Sequence, residues 1–227
     1  MKYAVWPAPF PAGGTSEEIA LTFDQSREHR LLVLAPLFNE HNKTRRQVVE
    51  IMRRLDRAGI DCLLPDLPGF NESLAPLDRQ SLTGWMAAVE AAAVHFSANR
   101  VLGIRGGALL IPGRLPGHVY EPAKGAQLLR AMLRARTIAA REAGREEKAA
   151  QLLEEGREGG LELAGWRLGP KMIRELEQAL PVTGPELELV EQAEIGGAPL
   201  WLRAEPDDDP EQADALAAIL AVGMLGG

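Results

Sequence analysis

Few side chains in this sequence of 227 residues could perform chemistry. It has four histidines, His29, His41, His95 and His118, and a single cysteine, Cys62, inside the apolar run Ile60-Asp61-Cys62-Leu63-Leu64. A buried, inert thiol is the expectation there. Acyl transfer needs a nucleophile, an imidazole within hydrogen-bond reach of it, and an acid that orients the imidazole. No histidine follows Asp209, so a general base cannot come from the end of the chain. Ser73 offers a hydroxyl but follows Gly69-Phe70-Asn71-Glu72, where its ordinary role is that of a turn residue. His41 sits in a polar stretch that reads as an exposed approach to a helix, while His95 ends a helix and His118 begins a strand. Asp207 and Asp208 are possible orienting acids, and Asp208 or Ser73 could work with His41 on a water molecule. Asp209-Pro210-Glu211-Gln212 has instead the spacing of a helix start, with Asp209 as cap, proline at the first position and Gln212 reaching back.

Arg105 is the most unusual residue. It stands in Gly103-Ile104-Arg105-Gly106-Gly107, where small neighbours permit a sharp turn from strand to helix. A guanidinium stays protonated and is no nucleophile. At a helix N-terminus it would strengthen an existing preference for anions. The competing reading is an ion pair with Glu40, Glu121 or an aspartate of the 207–209 run, which would close the site. The residues alone leave both open. No H-E-x-x-H motif or cysteine pair points to a metal, and the elbow lacks the Lys-Ser/Thr ending of a phosphate loop, so neither metal nor cofactor is expected.

The elements that must position these groups begin with strands over 3–6 and 18–23, separated by a proline- and glycine-rich loop over 7–14. Leu31-Leu32-Val33-Leu34-Ala35, residues 60–64 and residues 100–104 are continuous apolar runs suited to strands buried on both faces. Between them, Thr44-Arg45-Arg46-Gln47 has capping-box spacing for a helix ended by Gly59, and residues 82–96 form an alanine-rich helix. This alternation predicts a mostly parallel sheet. Val33, Leu64 and Leu102 should lie on adjacent strands, with the Pro36, Pro65 and Arg105 loops at one edge. Beyond the elbow come a short helix over 106–111, a strand over 118–120, two amphipathic helices over 125–155 broken near Gly144, a hairpin over 161–168, a helix from Pro170, a last strand over 199–203 and a helix over 210–224.

With 46% hydrophobic residues the chain can bury a sizeable core as one domain, 1–227. A formal net charge of -7 argues against nucleic acid as a partner. The first residues, Met1-Lys2-Tyr3-Ala4-Val5-Trp6-Pro7, lack the apolar core of a signal peptide, and no stretch is apolar enough to span a bilayer. A cytoplasmic location is the expectation.

Several of these segments together resemble the α/β-hydrolase superfamily. Residues Leu34-Ala35-Pro36-Leu37-Phe38-Asn39-Glu40 resemble its oxyanion loop, Pro65-Asp66-Leu67-Pro68-Gly69-Phe70-Asn71-Glu72-Ser73 its D-x-P-G-x-G-x-S loop, and Gly103-Ile104-Arg105-Gly106-Gly107 its G-x-S-x-G nucleophile elbow. Within it the chain is most similar to the second of two hydrolase families associated with exosortase A systems. That similarity rests on Glu40-His41-Asn42-Lys43-Thr44-Arg45-Arg46, the arginine at the elbow, Tyr120-Glu121-Pro122 and Leu163-Ala164-Gly165-Trp166-Arg167-Leu168-Gly169-Pro170. The resemblance implies an α/β fold with a small helical cap over 123–182, and a place in exopolysaccharide or protein-sorting systems. Phe38, Glu40, His41, Arg105 and Gly106 would face a ligand. With serine and the late histidine gone, two functions stay open. One is a degenerate homologue that binds a small anionic or acyl ligand, or a protein partner through the cap. The other is a working hydrolase or acyltransferase with a relocated catalytic set.

Overall fold

The computed structural model describes residues 1–10 and 13–226. It opens with an antiparallel hairpin of β1 (Lys2–Pro9) and β2 (Thr15–Phe23). Pairing reaches Pro9 opposite Thr15, so the loop expected over 7–14 is shorter; Pro11 and Ala12 within it lie outside the described residues. There follow β3 (Arg30–Leu34), α1 (Asn39–Arg57), β4 (Asp61–Pro65), α2 (Leu82–His95) and β5 (Arg100–Ile104). A 3-10 helix, Arg105–Leu109, then leads to β6 (Gly117–Tyr120). The helices α3 (Gly125–Glu142) and α4 (Ala149–Gly159), the small hairpin β7 (Leu161–Leu163) and β8 (Trp166–Leu168), and α5 (Pro170–Gln178) come next. The chain closes with β9 (Leu187–Val190), α6 (Gln192–Ile195), a 3-10 turn Leu200–Leu202, and α7 (Pro210–Leu225).

Seven strands form one sheet in the order β1-β2-β4-β3-β5-β6-β9, parallel from β4 to β9. Val33, Leu64 and Leu102 lie on adjacent parallel strands, as the apolar runs imply. Alternate residues of each strand serve opposite faces. Leu31, Val33, Cys62, Leu64 and Leu102 pack with α1 and α7, whereas Leu32, Leu34, Leu63 and Val101 pack with α2, α3 and α5. No helix among the described residues is long and apolar enough to cross a membrane.

Three expectations are corrected. The helix α1 begins at Asn39 rather than Thr44, because the Thr44 hydroxyl donates back to the Glu40 carbonyl one turn earlier instead of capping. The last strand is Leu187–Val190, not 199–203. Charged Glu186 and Glu188 disguise a short edge strand, while the apolar Leu200-Trp201-Leu202 forms a 3-10 turn. The helix after the elbow is a 3-10 turn starting at Arg105, not an α-helix over 106–111.

The elbow is fixed by close backbone approach. A Cβ on Gly107 would stand 2.1 Å from the Leu34 carbonyl oxygen and 2.7 Å from that of Ala35. One on Gly103 would meet Ala108 Cα at 2.9 Å. Strand β3 therefore touches the turn itself. Gly107→Ala is expected to cost about 3 kcal/mol or more, because backbone rather than a flexible side chain must yield. Gly113→Ala, with nothing within 4 Å of the new carbon, should change stability by under about 0.5 kcal/mol. Urea melts of both variants check the pair.

Candidate functional site

Parallel strands bring the loops after β3, β4, β5 and β6 to one edge of the sheet. Each loop carries a non-glycine residue with positive φ: Phe38 at 54°, Asn71 at 54°, Arg105 at 52° and Glu121 at 46°. Such backbone costs on the order of 1 kcal/mol per residue and persists only where the surroundings enforce it. The other examples, Ser26, Ser97 and Ala164, lie elsewhere in turns.

Arg105 stands at the tip of β5, where its guanidinium is held on three sides. Its Nε donates to Glu40 Oε2 at 3.1 Å and its Nη2 to Glu40 Oε1 at 3.0 Å, a two-pronged pair with the first turn of α1. Nη1 donates to the Glu121 carbonyl at 2.8 Å, and the guanidinium carbon lies 4.4 Å over the Trp201 ring. The strained Glu121 turn thus presents its carbonyl to the arginine, while its carboxylate accepts the Gln192 amide at 2.7 Å. Arg105 and Glu40 keep only 15% and 17% of their side chains exposed, so water screens the pair weakly. The aspartate run makes no contact with it: Asp207 pairs with Arg203, Asp208 with Arg46, and Asp209 caps α7 by accepting the Glu211 and Gln212 amides.

His41 is buried, not exposed, at 2% of its surface. The tighter helix start places it one turn into α1, against Phe70 at 5.2 Å between ring centres. Arg45 Nη1 lies 3.1 Å from its Nε2. A guanidinium only donates, so Nε2 accepts and the proton sits on Nδ1. The Pro36 carbonyl favours that proton, yet no partner meets Nδ1 in hydrogen-bond geometry. Burial first, and Arg45 second, push the imidazole's proton affinity down to about 4. Nearby on the β4 loop, burial raises the proton affinity of the Asp66 carboxyl, which accepts from Asn71 Nδ2 at 2.8 Å. Ser73 is a turn residue: its hydroxyl accepts the Gly69 amide at 2.7 Å and the Ala75 amide at 3.2 Å.

Aromatic residues fill the space between these loops. Trp166, from the small hairpin, stacks on Phe70 with ring centres 4.9 Å apart, and its Nε1 donates to Asn39 Oδ1 at 2.9 Å. Phe38 meets Phe70, Trp85 and Trp166 within 6.0 Å. A Cβ on Gly106 would meet Leu128 Cδ1 at 2.8 Å and Leu37 at 3.1 Å, so side chains already cover that glycine. Two cavities of about 20 Å³ each remain, one lined by Ile104, Tyr120 and Trp201, the other by His41, Pro65 and Asn71. Each has room for about one water molecule.

The structure brings Arg105 and Glu40 together and sets Phe38 and His41 against Phe70. It keeps Ser73 and Asp208 bound to other partners. Sequence reading missed Trp201 and Trp166. Trp201 was assigned to a strand, and Trp166 reaches the loops only because Ala164 and Gly165, both at positive φ, turn the hairpin back. Among the described residues no group of three His, Cys, Asp or Glu side chains could hold a metal ion.

Two predictions come from this geometry. Arg105→Ala leaves Glu40 partly buried and unpaired; with its remaining exposure the cost is about 2 kcal/mol, below that of breaking a fully buried pair. Arg105→Ala with Glu40→Gln should recover much of it in a urea double-mutant cycle. For His41, the folded form holds its proton less tightly than the unfolded chain. Stability is therefore full above about pH 6.5 and declines until about pH 4, by about 3 kcal/mol in all. His41→Phe should remove that part of the slope in melts across this range. The buried His118, whose proton affinity burial also lowers, leaves a residual slope in the same direction.

No protein-family model matches the chain, and no curated protein matches it in sequence. Solved structures do match along nearly its whole length. Mouse α/β hydrolase domain-containing protein 10 superposes with a TM-score of 0.55 at 10% identity over 96% of each chain. A protein of Agrobacterium vitis S4 that carries a provisional hydrolase name gives 0.53 at 12% identity over 98% of each. The bottromycin epimerase BotH, solved with bottromycin A2, gives 0.52 at 14% identity over 97% of this chain and 99% of its own. Such identities speak to architecture alone: the chain has the α/β-hydrolase fold.

Proposed function

We propose that this chain is a degenerate α/β-hydrolase homologue of the exosortase-associated kind, acting as a binding protein rather than as a hydrolase. The observation that carries this reading is the state of the elbow. Where the fold would present a nucleophile, Arg105 is engaged by Glu40, the Glu121 carbonyl and Trp201. Neither cavity beside it is larger than about 20 Å³. The fold does not itself dictate hydrolysis, and an epimerase is among its structural neighbours.

A ligand fits this site in one way. A small carboxylate or other anion takes the place of the Glu40 carboxylate on Arg105, with its apolar part beside Trp201. The stretch 123–182 serves as the cap, with its Trp166 over the loops. A water-based hydrolase is the second reading, favoured by one feature, the buried Asp66 carboxyl with raised proton affinity.

Purified protein is expected to leave short p-nitrophenyl esters unturned and to resist labelling by a fluorophosphonate probe. Ester turnover without labelling, lost on Asp66→Asn, would instead establish the second reading, whereas stoichiometric labelling of Ser73 would refute both readings in favour of covalent catalysis. In thermal melts, acetate or phosphate should stabilise Glu40→Gln more than wild type, because the internal competitor for Arg105 is gone. Equal indifference of both proteins to anions refutes the anion site.

A further inference from the structure

From Gln127 to Arg141 the solvent ridge of α3 carries no acid, and Glu142 follows at its C-terminal end. Its buried face is Leu128, Leu129, Met132, Leu133 and Ala140; the opposite stripe is Gln127, Arg130, Ala131, Arg134, Ile138 and Arg141, all exposed. None of these arginines has an ion-pair or side-chain hydrogen-bond partner among the described residues, and the same holds for Lys124, Arg145 and Lys148 at the ends of the helix. Most other arginines are tied to acids, as Arg27, Arg54, Arg136 and Arg157 are. The remaining unpartnered cations, Lys2, Arg57 and Arg79, are scattered. In a protein of net charge -7, a row of free arginines about 17 Å long is a local reversal of sign.

The ridge also has a repeat. Ala131 and Ile138 are seven residues apart, and so are Arg134 and Arg141, three residues further on in each case. Ile138 keeps 48% of its surface exposed. A seven-residue repeat stays in line with a second helix laid alongside, with small or apolar residues at one seam position and charges beside them. A flat anionic surface matches less well. The ground around the ridge includes exposed Glu142, Glu146, Glu154, Glu155 and Glu158, so over a lipid-sized footprint the charge largely cancels. A partner one helix wide meets chiefly the arginines, with Glu142 at one end.

We propose that the exposed ridge of α3 docks an acidic α-helix of a partner protein. Carboxylates of that helix take two-pronged bonds from Arg130, Arg134 and Arg141 while an apolar side chain covers Ala131 and packs on Ile138. The proposal is independent of what Arg105 binds.

The test uses a fluorescein-labelled helical peptide about three heptads long, with leucine once per heptad and glutamates flanking it, and a twin with glutamine for glutamate. Wild-type protein should bind the glutamate peptide at low ionic strength, bind it progressively less with added salt, and ignore the twin. Arg134→Glu with Arg141→Glu should weaken binding at least about tenfold. Arg57→Glu with Arg79→Glu, an identical change of net charge at exposed unpaired sites elsewhere, should weaken it by less than about twofold. Circular dichroism melts confirm that both variants fold. Equal losses in the two variants, or no binding of the peptide by wild type, overturn the proposal. So does binding of phosphatidylserine vesicles or polyuridylate that the ridge variant loses while the peptide is ignored.

Discussion

A guanidinium cannot give up its charge, so the one at the tip of β5 has to be matched wherever the fold carries it. Much of the sheet's upper edge is arranged around that requirement. Glu40 opens α1 in position to face it, the β6 loop takes a strained turn that presents the Glu121 carbonyl, and the 3-10 turn before α7 lays Trp201 under it. Three segments far apart in sequence are thereby tied to one side chain. Tyr120, edge-on to Trp201 at 5.8 Å, extends the tie into the core beneath.

The strained residues make a related point. In an active enzyme of this architecture, backbone strain at the strand ends holds reacting groups in place. In this chain the four loops carry such strain, and their side chains contact one another. Phe38 packs against its aromatic neighbours, Asn71 holds Asp66, and Glu121 ties Arg105 to α6 through Gln192. Strain of this kind shows that the loops are tightly determined; it does not show that they react.

The parts legible in the sequence were those whose cause is local. Continuous apolar runs located β3, β4 and β5, because strands buried on both faces tolerate little else. The Asp209 cap followed from four residues, and Glu40 could be named as a partner of Arg105 because few acids lay near the strand ends. What escaped depended on distant contacts. His41 read as exposed from its polar neighbours, yet the Phe70 loop, some thirty residues on, covers it. The edge strand β9 was hidden because exposure on one side lets glutamates occupy it. Trp201 looked like strand because Leu-Trp-Leu is apolar, although its role is to carry a cation.

The glycines around the elbow have a consequence for how such sequences are interpreted. Gly103 and Gly107 are required by the passage of β3 and the turn's own backbone, not by whatever residue occupies position 105. Exchange of the side chain at the tip leaves that requirement untouched. The spaced glycines therefore record the path of the backbone, whatever side chain stands between them. A search that weights the frame above the central residue gathers sequences by the shape of their turn, and a tally of hydrolases drawn up that way is a census of shapes.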